Sequence, residues 1–99
     1  MPIMNSNTLV ALLKQHKAEL SARFGVRELA LFGSSSRDTA NQDSDIDILV
    51  DFDGPATSQR YYGVQFFLED LFGKSVDLVT TKALRPELRP FVEKDARRV

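Results

Sequence analysis

Apolar positions recur at helical spacing from residue 5 to residue 24, where Leu9, Val10, Leu13, Leu20 and Phe24 fall on one side. Asn5 or Ser6 can cap that helix, and Gly25 suits a left-handed stop. The pattern then shortens. Residues 26–32 (VRELALF) form an apolar run bounded by glycines, which predicts a buried strand. A polar stretch, GSSSRDTANQDS, follows; a connection of this length in a small domain is often functional. Residues 45–52 (DIDILVDF) return to strand alternation, with Ile46, Ile48 and Val50 on one face and Asp45, Asp47 and Leu49 on the other. Asp53-Gly54-Pro55 ends this strand with turn chemistry.

Helical spacing resumes over residues 58–72, with Val64, Phe67, Leu68, Leu71 and Phe72 inward, Thr57 or Ser58 as cap and Gly73 as stop. Residues 75–80 (SVDLVT) predict a third strand, and residues 82–99 read as helical pieces interrupted by Pro86 and Pro90. The order of elements predicts an α/β (α+β) fold, a small mixed sheet packed with helices. Ninety-nine residues fit a single domain, 1–99, with one modest core and no room for a separate acceptor-binding domain. A large substrate must be met by a surface, or by a partner that completes the site.

Composition removes several function classes. A formal net charge of -1 gives no bulk attraction to nucleic acid or acidic membranes, so no direct nucleic-acid binding is expected. The chain has no cysteine, which excludes disulfides and thiolate metal sites and suits a reducing cytoplasm. No apolar run approaches the ~18 residues of a membrane span, and no basic-then-apolar leader marks export. The short basic end, with Lys94, Arg97 and Arg98, reads as a solvated helix terminus.

Three features carry possible chemistry. Gly33-Ser34 ends an apolar strand, where glycine allows close backbone approach and successive N–H groups can form an anion nest. Alone it reads as a turn. Asp45 and Asp47, two apart on a strand, share one face about 6.6 Å apart. Their mutual repulsion suits either a solvated strand face or a hard divalent cation such as Mg²⁺, which takes one or two carboxylates and fills its shell with phosphate and water. Asp77 is an acid inside another apolar strand, and a lone acid there usually faces water. If that strand lies beside the first, three carboxylates share a patch able to hold two metals, and Asp77 can accept the attacking hydroxyl's proton.

Gly33-Ser34, ten residues, then Asp45-Ile46-Asp47 resembles the signature of the DNA polymerase β-type nucleotidyltransferase superfamily, with Asp77 where its third strand carboxylate is expected. The resemblance is closest to the minimal nucleotidyltransferase (MNT) family, antitoxins of HEPN/MNT toxin–antitoxin pairs, and extends over LFGS, SDIDILVDFD, LEDLFGK, VDLVT and KALRPEL. One departure is Asp38 after Arg37, where glycine is common.

The resemblance implies that Gly33 and Ser34, with Ser36 and Arg37, bind the triphosphate of ATP. It implies that Asp45 and Asp47 bind Mg²⁺, one or two ions, and that Asp77 joins the second metal or acts as base. The implied reaction moves AMP onto a hydroxyl, a tyrosine of a cognate HEPN ribonuclease toxin, within a hetero-oligomer. Antitoxin action by binding and occlusion alone is the competing reading.

The remaining chemistry-bearing residues have simpler accounts. His16, on the polar part of the first helix, reads as solvated. Tyr61 and Tyr62 diverge by about 100° on a helix, so both cannot face the core; core packing or ordinary surface exposure is the favoured reading, with packing on a nucleotide base or a partner as the alternative. Arg85 and Arg89 read as a solvated helix start.

Overall fold

The computed structural model describes residues 6–33 and 45–99, apart from the side chains at positions 91, 93 and 95. Helix α1 (Ser6–Phe24) leads into β1 (Val26–Leu31), then β2 (Ile46–Phe52), helix α2 (Ser58–Phe72), β3 (Val76–Thr80), helix α3 (Arg89–Asp95) and β4 (Arg97–Arg98). The strands form one mixed sheet in the order β3-β2-β1-β4. β1 runs antiparallel to β2 and β4, while β2 and β3 are parallel and joined through α2. This is the small mixed sheet packed with helices that the order of elements predicts.

Side-chain alternation decides which face of the sheet is covered. Val26, Leu29 and Leu31 of β1, Ile46, Ile48, Val50 and Phe52 of β2, and Val76 and Leu78 of β3 point into the core. Leu9, Leu13 and Leu20 of α1 and Val64, Leu68 and Phe72 of α2 close over them. The predicted helix ends hold: Thr57 Oγ1 accepts from the Arg60 N–H at 3.2 Å, and Gly25 and Gly73 take φ of 73° and 66°. Among the described residues, no helix is long and apolar enough to cross a membrane.

The exposed edge of β3 is occupied by side chains of α2. Tyr61 donates to the Leu78 carbonyl, Gln65 donates to the Val76 carbonyl at 3.2 Å, and Glu69 accepts from the Val76 N–H at 3.0 Å. Residues four apart on a helix share a stripe, so one stripe satisfies backbone groups that an open edge presents to other chains.

The tail differs from its expectation. Turns fill residues 82–88, and α3 begins at Arg89 with Pro90 in its first turn, where a missing N–H interrupts nothing. The basic end is no solvated terminus. Arg98 pairs with Ala30 and Arg97 with Leu31 in β4, and the Val99 N–H donates to the Leu29 carbonyl at 3.0 Å. Arg97 reaches back to Ser6 Oγ at 2.7 Å and Asn7 Oδ1 at 2.9 Å, and Lys17 Nζ donates to the Val99 carbonyl at 2.8 Å. A strand of two residues carries no readable periodicity, which is why the sequence pattern misses it.

Candidate active site

The face of the sheet turned away from α1 and α2 carries the acids. β2 alternates strictly, so Ile46, Ile48 and Val50 enter the core and Asp47, Leu49 and Asp51 point the other way. Asp45 immediately precedes β2 and continues that outward series. In the parallel ladder Asp47 lies directly opposite Asp77, and neighbouring strands run about 4.8 Å apart. The condition set by the sequence is therefore met: the Asp77 strand does lie beside the Asp45–Asp47 strand.

Gly33 completes the arrangement from β1. The Phe32 N–H donates to the Asp47 carbonyl at 3.1 Å, which carries the end of β1 past Asp47. Gly33 follows with φ of 67°, and a Cβ added there would lie 2.6 Å from Asp47 Oδ2. An added side chain would force the Asp47 carboxylate to move, and the positive φ is one that glycine adopts without strain. Ser34, Ser36 and Arg37, the other predicted phosphate contacts, lie outside the described residues, as do Asp38 and Asp43.

Electrostatics separate Asp47 from its neighbours. Asp45 and Asp77 are exposed, whereas Asp47 is half-buried. Burial pushes the Asp47 carboxyl above its ordinary pKa, and the charges of Asp77 and then Asp45 push it the same way. Among the described residues no cation pairs with Asp47. As the side chains stand, no three described acids or histidines gather into a ready metal cage. The donor set nonetheless suits Mg²⁺, because that ion needs only one or two protein carboxylates beside phosphate and water. Repulsion among neighbouring acids is the kind of strain a divalent cation relieves.

Two acids on this face meet different fates, and the second was not singled out from sequence. Asp51 is buried at 7% exposure, yet Arg27 pairs with it, with Nε donating to Oδ2 at 2.8 Å, and the Thr81 hydroxyl donates to Oδ1 at 3.1 Å. A β-bulge between Val26 and Glu28 brings Arg27 alongside. The signal was present: Asp51 continues the series Asp45, Asp47, Leu49.

The tyrosine pair divides as helical geometry requires. Tyr61 is half-buried against β3, and burial, then the charge of Asp77, raise its hydroxyl pKa. Tyr62 is 53% exposed and stacks on exposed Phe66. His16 is half-buried and sits edge-on to Phe67 at 5.7 Å, which gives it a packing role.

The chain is similar to known proteins along most of its length. A nucleotidyltransferase domain family model matches residues 13–99. The protein adenylyltransferase MntA of Thermococcus cleftensis is 41% identical over 85 residues, which are 86% of each chain. A solved minimal nucleotidyltransferase is 35% identical, covers 98% of both chains and superposes with a TM-score of 0.80. The complex of a tri-AMPylated Shewanella oneidensis HEPN toxin with its MNT antitoxin matches at 22% identity and a TM-score of 0.59, over 95% of this chain and 67% of that one. At that identity the likeness is one of fold.

Proposed function

The chain belongs to the nucleotidyltransferase domain family, and on that premise we propose that it transfers AMP from ATP to a tyrosine hydroxyl of a HEPN-type ribonuclease toxin, neutralising it. The observation that carries the proposal is the contact of Gly33 with Asp47 beside Asp77. A strand end able to admit a phosphate lies against carboxylates able to hold its counter-ion. The naming of the Thermococcus relative as a protein adenylyltransferase supports a protein acceptor, and the AMPylated toxin bound to an MNT antitoxin supports its kind.

The residues take distinct roles. Gly33, with Ser34, Ser36 and Arg37 beyond it, would receive the triphosphate. Asp45 and Asp47 would hold Mg²⁺, which when bound neutralises phosphate charge as the bridging bond breaks. Asp77, exposed and opposite Asp47, can accept the proton of the incoming hydroxyl. The tyrosine oxygen forms a bond to the α-phosphorus, the α–β phosphoanhydride bond breaks, and pyrophosphate leaves. Catalysis rests on positioning and charge neutralisation, since the protein makes no covalent bond.

The direct test incubates the chain with α-labelled ATP, Mg²⁺ and the product of the neighbouring gene. Label on that partner, lost when its acceptor tyrosine is replaced, is the expected result. No transfer to a partner shown to be folded would overturn the proposal.

A further inference from the structure

Beyond the acids, the outward face of the sheet continues into a groove of about 320 Å³. The groove begins one row along the sheet from the acids, where Arg98, Ala30, Leu49 and Val79 are successive neighbours across β4, β1, β2 and β3. Ala30 and Leu49 are buried at 4% and 9% exposure and form the groove floor. Leu84 and Arg89, from the segment after β3, form a wall.

The charge of this groove is opposite to that of the acid cluster. Four cations line it, Arg27, Lys82, Arg89 and Arg98, against two acids, Glu28 and Asp51. Asp51 is already matched by Arg27 and Arg89 is engaged elsewhere, which leaves Lys82 and Arg98 against Glu28, so the described lining keeps a cationic excess in a chain of net charge -1. Along β2 the floor at Leu49 lies two residues from Asp47 and Asp51 lies four residues away, roughly 7 and 13 Å at strand rise. The far end therefore lies beyond a Debye length of ~8–10 Å from Asp47, and the two charge patterns act on a ligand separately.

From this charge complementarity and its continuity with the acid cluster, we propose that the groove receives an acidic stretch of the acceptor polypeptide. It would direct the neighbouring tyrosine to Asp47 and Asp77. The inference rests on the adenylyltransfer reading and specifies what that reading leaves open, the class of acceptor. Triphosphate enters from Gly33, at the end of β1 beside Asp47, which leaves the opposite end of the face for the other substrate. An extended segment spanning from Asp77 to the groove needs roughly two to four residues, so the acidic positions fall that close to the tyrosine.

Fluorescent peptides test this without requiring activity. One carries a tyrosine flanked by glutamates and the other a tyrosine flanked by lysines. Anisotropy with the native chain, Mg²⁺ and AMP-PNP should show the glutamate peptide binding at least tenfold tighter. Lys82→Glu with Arg98→Glu should abolish that preference, and Lys82→Gln alone should reduce it; both residues are exposed, and a thermal melt verifies folding. Equal binding of the two peptides overturns the inference, as does displacement of the glutamate peptide by AMP-PNP, which would assign the groove to the nucleotide. Tight glutamate-peptide binding without AMP transfer to any acceptor would instead uphold the groove and defeat the adenylyltransfer reading.

Discussion

Asp47 and Asp51 stand four residues apart on the same face of the same strand, and the fold treats them in opposite ways. Asp51 is the more deeply buried, yet it is answered by Arg27 and Thr81 from two flanking segments. Asp47 has more solvent and no cationic partner among the described residues, and the charges of two further acids, Asp77 and Asp45, act on it. Burial alone therefore does not identify a reactive carboxylate. A structural acid arrives with its counter-charge in place, whereas Asp47, left among like charges by the described residues, stays open to a cation from beyond them. Gly33 strengthens the contrast, because its missing side chain leaves the Asp47 carboxylate open to what enters from the loop.

The contrast can be broken most severely at the acid cluster. Asp45→Asn with Asp47→Asn should lower AMP transfer by about 10³-fold or more, since loss of a metal clamp removes several kcal/mol of transition-state stabilisation. A residual rate within tenfold of the native chain, measured by label transfer, would place the metal elsewhere. If that double variant still protects cells while binding the toxin, neutralisation proceeds by occlusion. Gly33→Ala comes next. A positive φ costs a non-glycine residue about 1–2 kcal/mol, and the added methyl must displace the Asp47 carboxylate. We expect kcat to fall by roughly 10–100-fold with the fold retained.

On the other side of the comparison, Asp51→Asn should leave chemistry largely intact and cost stability. The Arg27 side chain is mostly exposed, so its freed charge remains hydrated and the loss is about 1–2 kcal/mol, not that of a fully buried pair. A melting temperature lower by roughly 5–12 °C is the expected reading. An unchanged melt would mean that the pair contributes nothing.

The smallest effect is one of sign. A carboxyl whose folded pKa is raised contributes stability that is fully present below its unfolded pKa, near ~3.9, and lost as pH rises through the folded value. At neutral pH the charge of Asp47 therefore opposes folding. Metal-free Asp47→Asn should melt at or above the native chain at pH 7, with the difference vanishing toward pH 3. A variant that melts lower at pH 7 would show that the Asp47 charge is stabilised by a partner.

Much of this was legible in the chain. The strand alternation of residues 45–52 separates core from outward positions, and Thr57 and Gly73 bound α2 as capping chemistry requires. Asp77 could be placed beside Asp47 only conditionally, because register between strands joined through a helix is decided by packing. Three things were out of reach. The bulge that brings Arg27 to Asp51 depends on strand pairing, and β4 is too short to show a pattern. The stripe Tyr61, Gln65 and Glu69 looks polar in sequence because its partners are backbone groups of β3, which no side-chain pattern reveals.

The central claim is that the unanswered acid, and not the answered one, is where the nucleotide and its metal bind. Calorimetric titration of Mg²⁺·AMP-PNP into the native chain, Asp47→Asn and Asp51→Asn tests it most directly. The account predicts that Asp47→Asn loses at least tenfold in affinity while Asp51→Asn stays within about twofold of the native chain. Equal losses in both variants, or a larger loss in Asp51→Asn, would contradict it.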